Sequence, residues 1–366
     1  MSVTRIINKF FSFCFFLFKL KHFKLAYLFA FYKLPKHWAA SLQVSNGILL
    51  FTNSGNTICI AHLDRFEFSM HFLIELLANP LCKVTETTNT YFMVEVEGLL
   101  FKVASLSNMA VLYEIFIEQI YNIETAHDNL VVIDIGMNVG VASLYFASQP
   151  YVKMVYGYEP FPETFAEASM NVVANPAMAS KLKLMNEGVS NLRETRSIPL
   201  FESGLLSAST IEQKNEYGKK IGQVIEVQLV SIKEVFELVM AENPDAKILL
   251  KLDCEGEEYV IFDMLKESTY LNNVLVAIIE WHEKGSATIE KVLMVSSHCH
   301  GGSDYESFTF FLRFRSRPVG CFCFIRINCR CRFWPPPPQP RSNLRSSRSC
   351  LLCRGTQLCH GAIVRL

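Results

Sequence analysis

The stretch VVIDIGMNVG, residues 131–140, decides the fold that we expect for this chain. An apolar run that leads into glycines and an asparagine is typical of a buried strand that turns tightly into a helix. Asp134 stands near the end of the run, and Gly136, Asn138 and Gly140 follow it. Glycines let the backbone approach a ligand closely, and the helix start presents free N–H groups. We therefore expect a ligand site where this strand ends.

The spacing of the glycines distinguishes between two classes of cofactor. The dinucleotide fingerprint G-x-G-x-x-G is not met, because three residues separate Gly136 from Gly140 and Asp134 replaces the first glycine. An acid at that position suits a cofactor with a cationic amino-acid end better than one with a pyrophosphate. The pattern therefore disfavours a nicotinamide-dependent oxidoreductase.

The second and third strands also end in polar residues. Glu159 closes MVYGYE, residues 154–159. An acid there can accept hydrogen bonds from both ribose hydroxyls of an adenosine, although a solvated charge is the alternative reading. The third strand, KLKLMNE at 181–187, ends in Asn186 and Glu187, followed by Gly188. A side chain here could contact the adenine edge, and Glu187 is our candidate.

The fourth and fifth strands bring titratable groups to the same edge. KLDCEGEE, residues 251–258, contains Asp253 and Glu255 where the fourth strand ends, and VLVAIIEW, 274–281, is followed by His282. Ligands of open α/β sheets bind at the carboxyl edge of the strands. Acids at a buried strand are costly unless they are paired or functional, but acids also favour a helix start, and His282 could be a solvated loop residue. Asp253, Glu255 and His282 are the candidate catalytic residues.

Strands alternate with helices from residue 129 onward, which predicts an α/β fold with a doubly wound, Rossmann-like parallel sheet. The helices are expected in VGVASLYFAS, PETFAEASMNVVA, SIKEVFELVM and EEYVIFDMLKE. The pattern breaks at 196–228, where we expect an inserted hairpin. The predicted domains are a basic apolar segment at 1–39, a small mixed α/β lead-in at 40–127, the catalytic domain at 128–298 and an atypical tail at 299–366.

The lead-in contains its own pattern of short elements. GILLF at 47–51 and NTICIAH at 56–62 read as strands, and HFLIELL at 71–77 is a further apolar run. Alternating side chains in 90–104 around Gly98 predict a hairpin. A helix is expected at 109–121.

The first 39 residues are basic and aromatic, and no Asp or Glu precedes Asp64. Two apolar runs, 10–18 and 25–32, are each too short to cross a bilayer, which takes about 20 apolar residues. A lead-in helix packed on the domain, an interfacial membrane segment at residues 5–36 and an organelle presequence remain open. The expected location is cytoplasmic or peripherally membrane-associated.

The tail differs in composition from the rest of the chain. After Glu306 there are eleven Arg and no Lys, PPPP at 335–338 and seven of the twelve cysteines. A different reading frame or a read-through intron would produce such a change, and the segment could then be disordered. A second interpretation is an antiparallel hairpin around SRPVG. A cluster of Cys350, Cys353, Cys359 and His360 fits no common zinc module, so we expect no metal site.

The overall composition excludes some partners. Half of the residues are apolar, so the chain can bury a sizeable core, and 35 basic residues balance 35 acidic ones. This balance argues against a nucleic-acid binder that relies on a global basic field.

Six motifs together resemble a known family. They are VVIDIGMNVG, YEP (158–160), NEGVS (186–190), VQLVSIKEV (227–235), KLDCEGEE and IEWH (279–282). In order and spacing they resemble the FkbM family of S-adenosylmethionine (SAM) dependent methyltransferases, over residues 90–285. The resemblance implies that SAM binds to Asp134, Gly136, Asn138, Gly140 and Glu159, and that the KLDCEGE segment lies near the transferred methyl group.

The resemblance implies O-methylation of a sugar or polyketide-like hydroxyl. A hydroxyl acceptor must lose its proton as it attacks, which calls for a base at the carboxyl edge. His282 is our first candidate and Asp253 our second, because a histidine titrates near neutral pH without help. Met137 in place of the family's usual alanine is a departure. The alternative function is a SAM-binding or interaction protein without catalysis.

Overall fold

The computed structural model describes thirteen segments of the chain. They are residues 3–31, 36–63, 70–88, 90–104, 106–123, 125–201, 220–254, 256–265, 268–281, 307–315, 322–330, 354–359 and 362–365. The chain divides into two compact units, of which the first comprises residues 1–124 and 168–180 and the second comprises 125–167 and 181–366. Each unit is described separately.

The first unit combines helices with two small antiparallel sheets. Its first sheet has the order β1-β2-β3 and its second the order β4-β5-β6. The elements are α1 (Val3–Leu20), α2 (Phe23–Phe31), a 3₁₀ helix (Lys36–Ser41), β1 (Leu42–Ser45), β2 (Ile48–Phe51), β3 (Thr57–Cys59), α3 (Met70–Ala78), β4 (Cys82–Thr87), β5 (Phe92–Val96), β6 (Leu99–Val103) and α4 (Leu106–Leu112).

The hairpin predicted around Gly98 forms in this unit, but the helix predicted at 109–121 ends earlier than expected. The hairpin around Gly98 forms as β5 and β6, whose inward side chains alternate with half-buried ones. The helix that the sequence predicts at 109–121 is shorter, because α4 ends at Leu112 and passes into a π-helical turn, Tyr113–Ile117. Gln119 then has a φ of +54°, a left-handed conformation that an α-helix cannot contain.

The second unit alternates strands and helices, as the sequence predicts. Its elements are β7 (Leu130–Ile135), α5 (Val141–Ser148), β8 (Val152–Tyr158), α6 (Pro162–Val173, which continues into the first unit), β9 (Leu182–Met185), β10 (Gly188–Ser190), β11 (Glu194–Phe201), β12 (Lys220–Ser231), α7 (Ile232–Glu242), β13 (Ile248–Leu252), α8 (Glu258–Leu265), β14 (Val274–Trp281), β15 (Ser307–Arg315), β16 (Phe322–Arg330), β17 (Arg354–Cys359) and β18 (Ala362–Arg365).

A central parallel sheet organises this unit, which confirms the α/β fold class. The nine described strands have the order β18-β17-β16-β15-β14-β13-β7-β8-β9. All pairs from β15 to β9 are parallel. The first strand of the sheet in the chain, β7, therefore lies between β8 and β13, and the strand order reverses there. Ligand sites of open sheets lie at such a reversal.

The centre of the sheet is buried on both faces. Every residue of β7 and of β13 is buried, which is the pattern expected for an interior parallel strand. Ile133, Leu250 and Ile279 belong to a core cluster that α7 and α8 join through Phe236 and Ile261. A rigid, well-packed centre of this kind holds the residues that follow each strand in fixed positions.

The inserted segment and the tail contribute further strands. β11 and β12 pair antiparallel, as the break in the pattern predicts, and β10 joins β12 in a separate three-stranded sheet. Residues 202–219 of the insertion lie outside the described segments. In the tail, β15 and β16 form the antiparallel pair of the second interpretation. The origin of the tail's composition stays a prediction.

Candidate functional site

The loop after β7 is a tight left-handed turn. Gly136, Asn138 and Gly140 have φ values of +75°, +53° and +80°. The N–H groups of Gly136 and Met137 both donate to the carbonyl oxygen of Tyr158, at 3.1 and 3.0 Å. These bonds fix the loop to the end of the neighbouring strand β8, and α5 begins directly after Gly140.

Gly136 is required by close backbone packing as well as by its φ. A Cβ atom at this position would lie 1.8 Å from the carbonyl oxygen of Asp253 and 2.8 Å from its carbonyl carbon. The Asp253 N–H also donates to the Ile135 carbonyl oxygen at 3.0 Å. The turns that follow β7 and β13 therefore meet backbone to backbone, which leaves no room for a side chain at residue 136.

The carboxylate of Glu159 closes the loop from the side of β8. It is 5% exposed, and its two oxygens accept the N–H groups of Asn138 at 3.1 Å and of Phe161 at 3.0 Å. Burial raises the pKa of Glu159 to about 7, against the opposing effect of these two backbone donors and of Lys251. A carboxyl group in this state gains from any further hydrogen-bond donor that a ligand offers.

Asp134 faces a lysine inside the protein. The Lys251 ammonium lies 2.8 Å from Asp134 Oδ1 and donates to the Gly136 carbonyl oxygen at 2.9 Å. The Ser143 hydroxyl donates to the other oxygen of Asp134 at 2.6 Å. Asp134 is fully buried and Lys251 is 3% exposed. The cation next to Asp134 in this structure is therefore supplied by the chain itself.

Lys251 is the residue whose role the sequence reasoning did not assign. It stands within the apolar run KILLKLD, and a lysine at a fully buried strand position signals a partner, because an unpaired buried charge is very costly. The partner could not be read from the sequence, since Asp134 is more than a hundred residues earlier and reaches Lys251 only because β7 pairs with β13.

Among the three candidate catalytic residues, the structure describes Asp253. Its side chain is 32% exposed at the end of β13, and its Oδ2 lies 4.0 Å from the Lys251 ammonium. Its place beside the Gly136 turn puts this carboxylate at the carboxyl edge, as predicted. Glu255 and His282 lie outside the described residues.

The end of the third strand carries two polar side chains that make different contacts. The Asn186 amide donates to the carbonyl oxygens of Glu159 and Pro160, at 2.9 and 3.3 Å. The neighbouring carboxylate of Glu187 instead pairs with Arg193 at 3.0 Å. Asn186 is thus the side chain of this strand end that contacts the Glu159 backbone.

Glu257 is a further buried acid, in the KLDCEGEE segment. It is 2% exposed, accepts the Ser190 hydroxyl at 2.7 Å and pairs with Arg196 of β11. The turn between β13 and α8 is therefore tied to the inserted hairpin. The sequence gives one indication of this ion pair, which is that Arg193 and Arg196 are the sole arginines between Arg65 and Arg313.

The site as a whole brings together six of the predicted residues. Asp134, Gly136, Asn138, Glu159 and Asp253 lie around the carboxyl ends of β7, β8 and β13, and Gly140 completes the loop. In the described segments no group of three or more His, Cys, Asp or Glu side chains is arranged to hold a metal ion.

Part of the chain that forms this site matches a known protein family. Residues 134–305 match the family model of the methyltransferase FkbM domain. This part, just under half of the chain, is similar to FkbM methyltransferases. The match begins at Asp134, near the end of β7, and includes the glycine turn, α5 and the KLDCEGEE segment, so the FkbM resemblance of the motifs is confirmed.

Curated relatives of the FkbM domain are also methyltransferases. The chain is 27% identical over 224 residues to Methyltransferase sdnD of Sordaria araneosa, covering 54% of this chain and 85% of the relative. It is 25% identical over 200 residues to Methyltransferase 1 of Beauveria bassiana (strain ARSEF 2860), covering 50% of this chain and 77% of that protein. The family match and these two relatives support methyl transfer as the activity of the matched region.

A solved structure is also similar to the chain. It is the crystal structure of a SAM-dependent methyltransferase from Agrobacterium tumefaciens, with 11% sequence identity and a TM-score of 0.32. The similarity covers 76% of this chain and 71% of that one.

Proposed function

We propose that the FkbM domain transfers the methyl group of SAM to a hydroxyl oxygen of a small molecule of the sugar or polyketide-like class. The buried carboxylate of Glu159 carries this proposal. It lies at the end of β8, bonded to the glycine loop after β7, at the point where the strand order reverses. That position in an open α/β sheet is where an adenosine ribose is bound.

The residues at this site fit the adenosine end of SAM. Glu159 is almost fully desolvated and already accepts two backbone donors, and a carboxylate can accept about four. The two ribose hydroxyls would supply two further O–H donors to it. The left-handed turn of Gly136, Asn138 and Gly140 would let the backbone approach the cofactor closely. For the adenine edge we propose the end of β9, with Glu187 and Asn186 as the candidates.

Asp134 takes part in this proposal through Lys251. The Lys251 ammonium bridges the Asp134 carboxylate and the Gly136 carbonyl oxygen, so the pair holds the loop in the shape that a cofactor meets. The negative charge of Asp134 also attracts the cationic amino-acid end of the cofactor. Lys251 reduces this attraction, because it neutralises part of that charge.

The proposed arrangement of the unit is the doubly wound fold. The supporting observations are the strand order, which reverses at β7, and the complete burial of β7 and β13, which requires cover on both faces of the sheet. Helices between consecutive parallel strands supply such cover.

When bound, SAM supplies a methyl group on a sulfonium sulfur. The protein's contribution is to align the acceptor oxygen with that group, to exclude water and to take the hydroxyl proton. Asp253 presents a partly exposed carboxylate beside the loop and is one candidate base. His282 is the other, supported by its position directly after Trp281, the last residue of β14. Glu255, two residues after Asp253 in the sequence, is the third candidate.

Calorimetric titration of SAM into the purified full chain tests the cofactor site. Saturable binding is expected, and Glu159→Ala is expected to weaken it at least about a hundredfold, because the charge-assisted hydrogen bonds to both ribose hydroxyls are lost. Glu163→Ala is the matched control, since Glu163 is an exposed acid four residues away in α6 and should leave the affinity unchanged. Absence of binding by the folded wild-type chain would refute the proposal.

The hydroxyl acceptor needs a separate test. The chain would be incubated with methyl-labelled SAM and a panel of sugars, phenols and polyketide-like alcohols, and the products analysed by mass spectrometry for label on oxygen. Label on nitrogen or carbon would contradict O-methylation. Tight SAM binding with no transfer to any panel member would instead support the non-catalytic alternative.

A further inference from the structure

The helices α1 and α2 form a hairpin, residues 3–31, that exposes an unusual amount of apolar surface. In the described part of the chain fifteen large hydrophobic side chains are exposed, and eight of them belong to this N-terminal hairpin. Their exposed fractions range from 44% to 79%. They are Ile6, Ile7, Phe10, Phe11, Phe18, Phe23, Tyr27 and Phe31.

These side chains form an outward face that is distinct from the packed face of the hairpin. The packed face contains Phe16 and Phe29, which are both fully buried and whose ring centroids lie 5.3 Å apart. On α1, Ile7, Phe11 and Phe18 follow one another at intervals of four and seven residues, so they share one side of the helix. The hairpin is therefore apolar on two sides, of which only one is used inside the unit.

The size of the outward face exceeds what folded chains usually expose. An aromatic side chain presents about 150–250 Å², so eight large side chains that are each about half exposed sum to on the order of 800 Å². The largest apolar patch of a soluble monomer is about 300–600 Å², and larger patches mark interaction sites. A partner for this face is expected on size alone.

The charge of the hairpin selects the kind of partner. Lys19 and Lys21 are exposed at the turn between the helices, and Lys9 lies 4.0 Å from the centre of the Phe31 ring at the outward side. No acidic residue precedes Asp64, so the charged side chains of the hairpin's own sequence are all cations. Aromatic side chains that are combined with lysines match the boundary between acyl chains and anionic headgroups of a lipid bilayer.

We propose that the N-terminal hairpin binds to the surface of an anionic lipid membrane. The outward aromatic side chains enter the boundary between headgroups and acyl chains, while the lysines contact lipid phosphates and carboxylates. The helices lie along the membrane surface, because their other face is held by the packing of Phe16, Leu20 and Leu25. No described helix is long and apolar enough to cross a bilayer. This binding is independent of the proposed methyl transfer.

Sedimentation of the full chain with lipid vesicles tests the proposal. Vesicles of phosphatidylcholine with about a third phosphatidylserine should bind the chain, and binding should weaken as salt is raised, since salt screens the lysines. The double variant Phe10→Asp/Phe11→Asp should lower the partition coefficient at least about tenfold, because two apolar side chains leave the membrane and two like charges approach it. Lys19→Gln/Lys21→Gln should reduce binding to the anionic vesicles and leave the weaker binding to pure phosphatidylcholine unchanged.

A matched control distinguishes membrane binding by this face from nonspecific binding through any exposed apolar side chain. Leu81 and Leu192 are 63% and 60% exposed, like Phe11 and Phe10 at 63% and 62%, but they lie outside the hairpin. Leu81→Asp/Leu192→Asp should therefore bind vesicles like the wild type. Unchanged SAM affinity in all of these variants would show that they are folded.

Three results would overturn the proposal. One is wild-type chain that stays in the supernatant with anionic vesicles at low salt. Another is equal binding by the Phe10/Phe11 variant and the wild type. The third is a wild-type chain that does not bind vesicles and is a dimer by light scattering, while the Phe10/Phe11 variant is a monomer. The outward face would then be covered by a second copy of the chain.

Discussion

The centre of the parallel sheet and the N-terminal hairpin depart from the usual distribution of polar and apolar residues in opposite directions. Around β7 and β13 the protein buries Lys251, Asp134 and Glu159, whereas α1 and α2 leave Phe11 and Phe18 in solvent. Buried charges are tolerated only when they are paired, and exposed apolar faces persist when something covers them. The first region has its partners within the chain, and the second requires one from outside. The two regions should therefore respond to different perturbations.

The largest effect is expected from filling the space at Gly136. Gly136→Ala should cost about 4 kcal/mol or more of unfolding free energy and abolish SAM binding, because its Cβ meets a backbone carbonyl rather than a movable side chain. Gly98→Ala is the control, since Gly98 has a similar φ of +78° with nothing within 4 Å of the added atom. It should cost only about 1 kcal/mol. Urea denaturation measures both values, and equal costs would show that backbone conformation, not the close approach, explains Gly136.

Breaking the buried ion pair should have the next largest effect. Lys251→Met leaves the Asp134 carboxylate fully buried without its cation, which should cost about 3 kcal/mol. The double variant Asp134→Asn/Lys251→Met removes both charges and should recover at least half of that loss. If the double variant were no more stable than the single one, the pairing of Asp134 with Lys251 would not be what stabilises this region.

Two arginines of the inserted segment offer a matched comparison of a buried and an exposed pair. Arg196→Met should cost about 2 kcal/mol, because the buried carboxylate of Glu257 loses its guanidinium partner. Arg193→Met should cost less than about 1 kcal/mol, since Arg193 joins Glu187 and Glu234 at the surface. Thermal unfolding of both variants measures the difference, and equal shifts would contradict a special role for the buried pair.

The smallest effect concerns pH. The pKa of Glu159 is raised to about 7 by burial, and ribose hydroxyl donors favour the ionised form. SAM binding should therefore be strongest above pH 7 and weaken by about tenfold per pH unit below it, as the carboxylate of the free protein becomes protonated. Calorimetric titrations at pH 5.5 to 8 measure this slope, and Glu159→Gln should flatten it. Vesicle binding by the hairpin should depend mainly on salt.

Elements with a strong local pattern were predictable, and those that depend on distant partners were less so. The five main strands lie within two residues of their predicted bounds, because continuous apolar runs between turn residues are a local signal. The helix expected to reach residue 121 ends at Ile117, since the left-handed Gln119 is set by its surroundings and not by the apolar period. For the site, Asp134, Gly136 and Glu159 could be found from their positions after strands. The contacts of Asn186 and Arg196 could not, since their partners are distant in sequence.

By itself, the sequence determined the order of strands and helices, the glycine turn, the acids that end the strands and the basic aromatic character of the first helices. These are properties of residue type and spacing along the chain. Only the tertiary structure decided that Lys251 neutralises Asp134, that Gly136 lies against the Asp253 backbone, and that one face of the hairpin is buried while the other stays exposed. The physical reason is that charge pairing, close packing and burial depend on which strands and helices become neighbours, and that neighbourhood is established only when the whole chain folds.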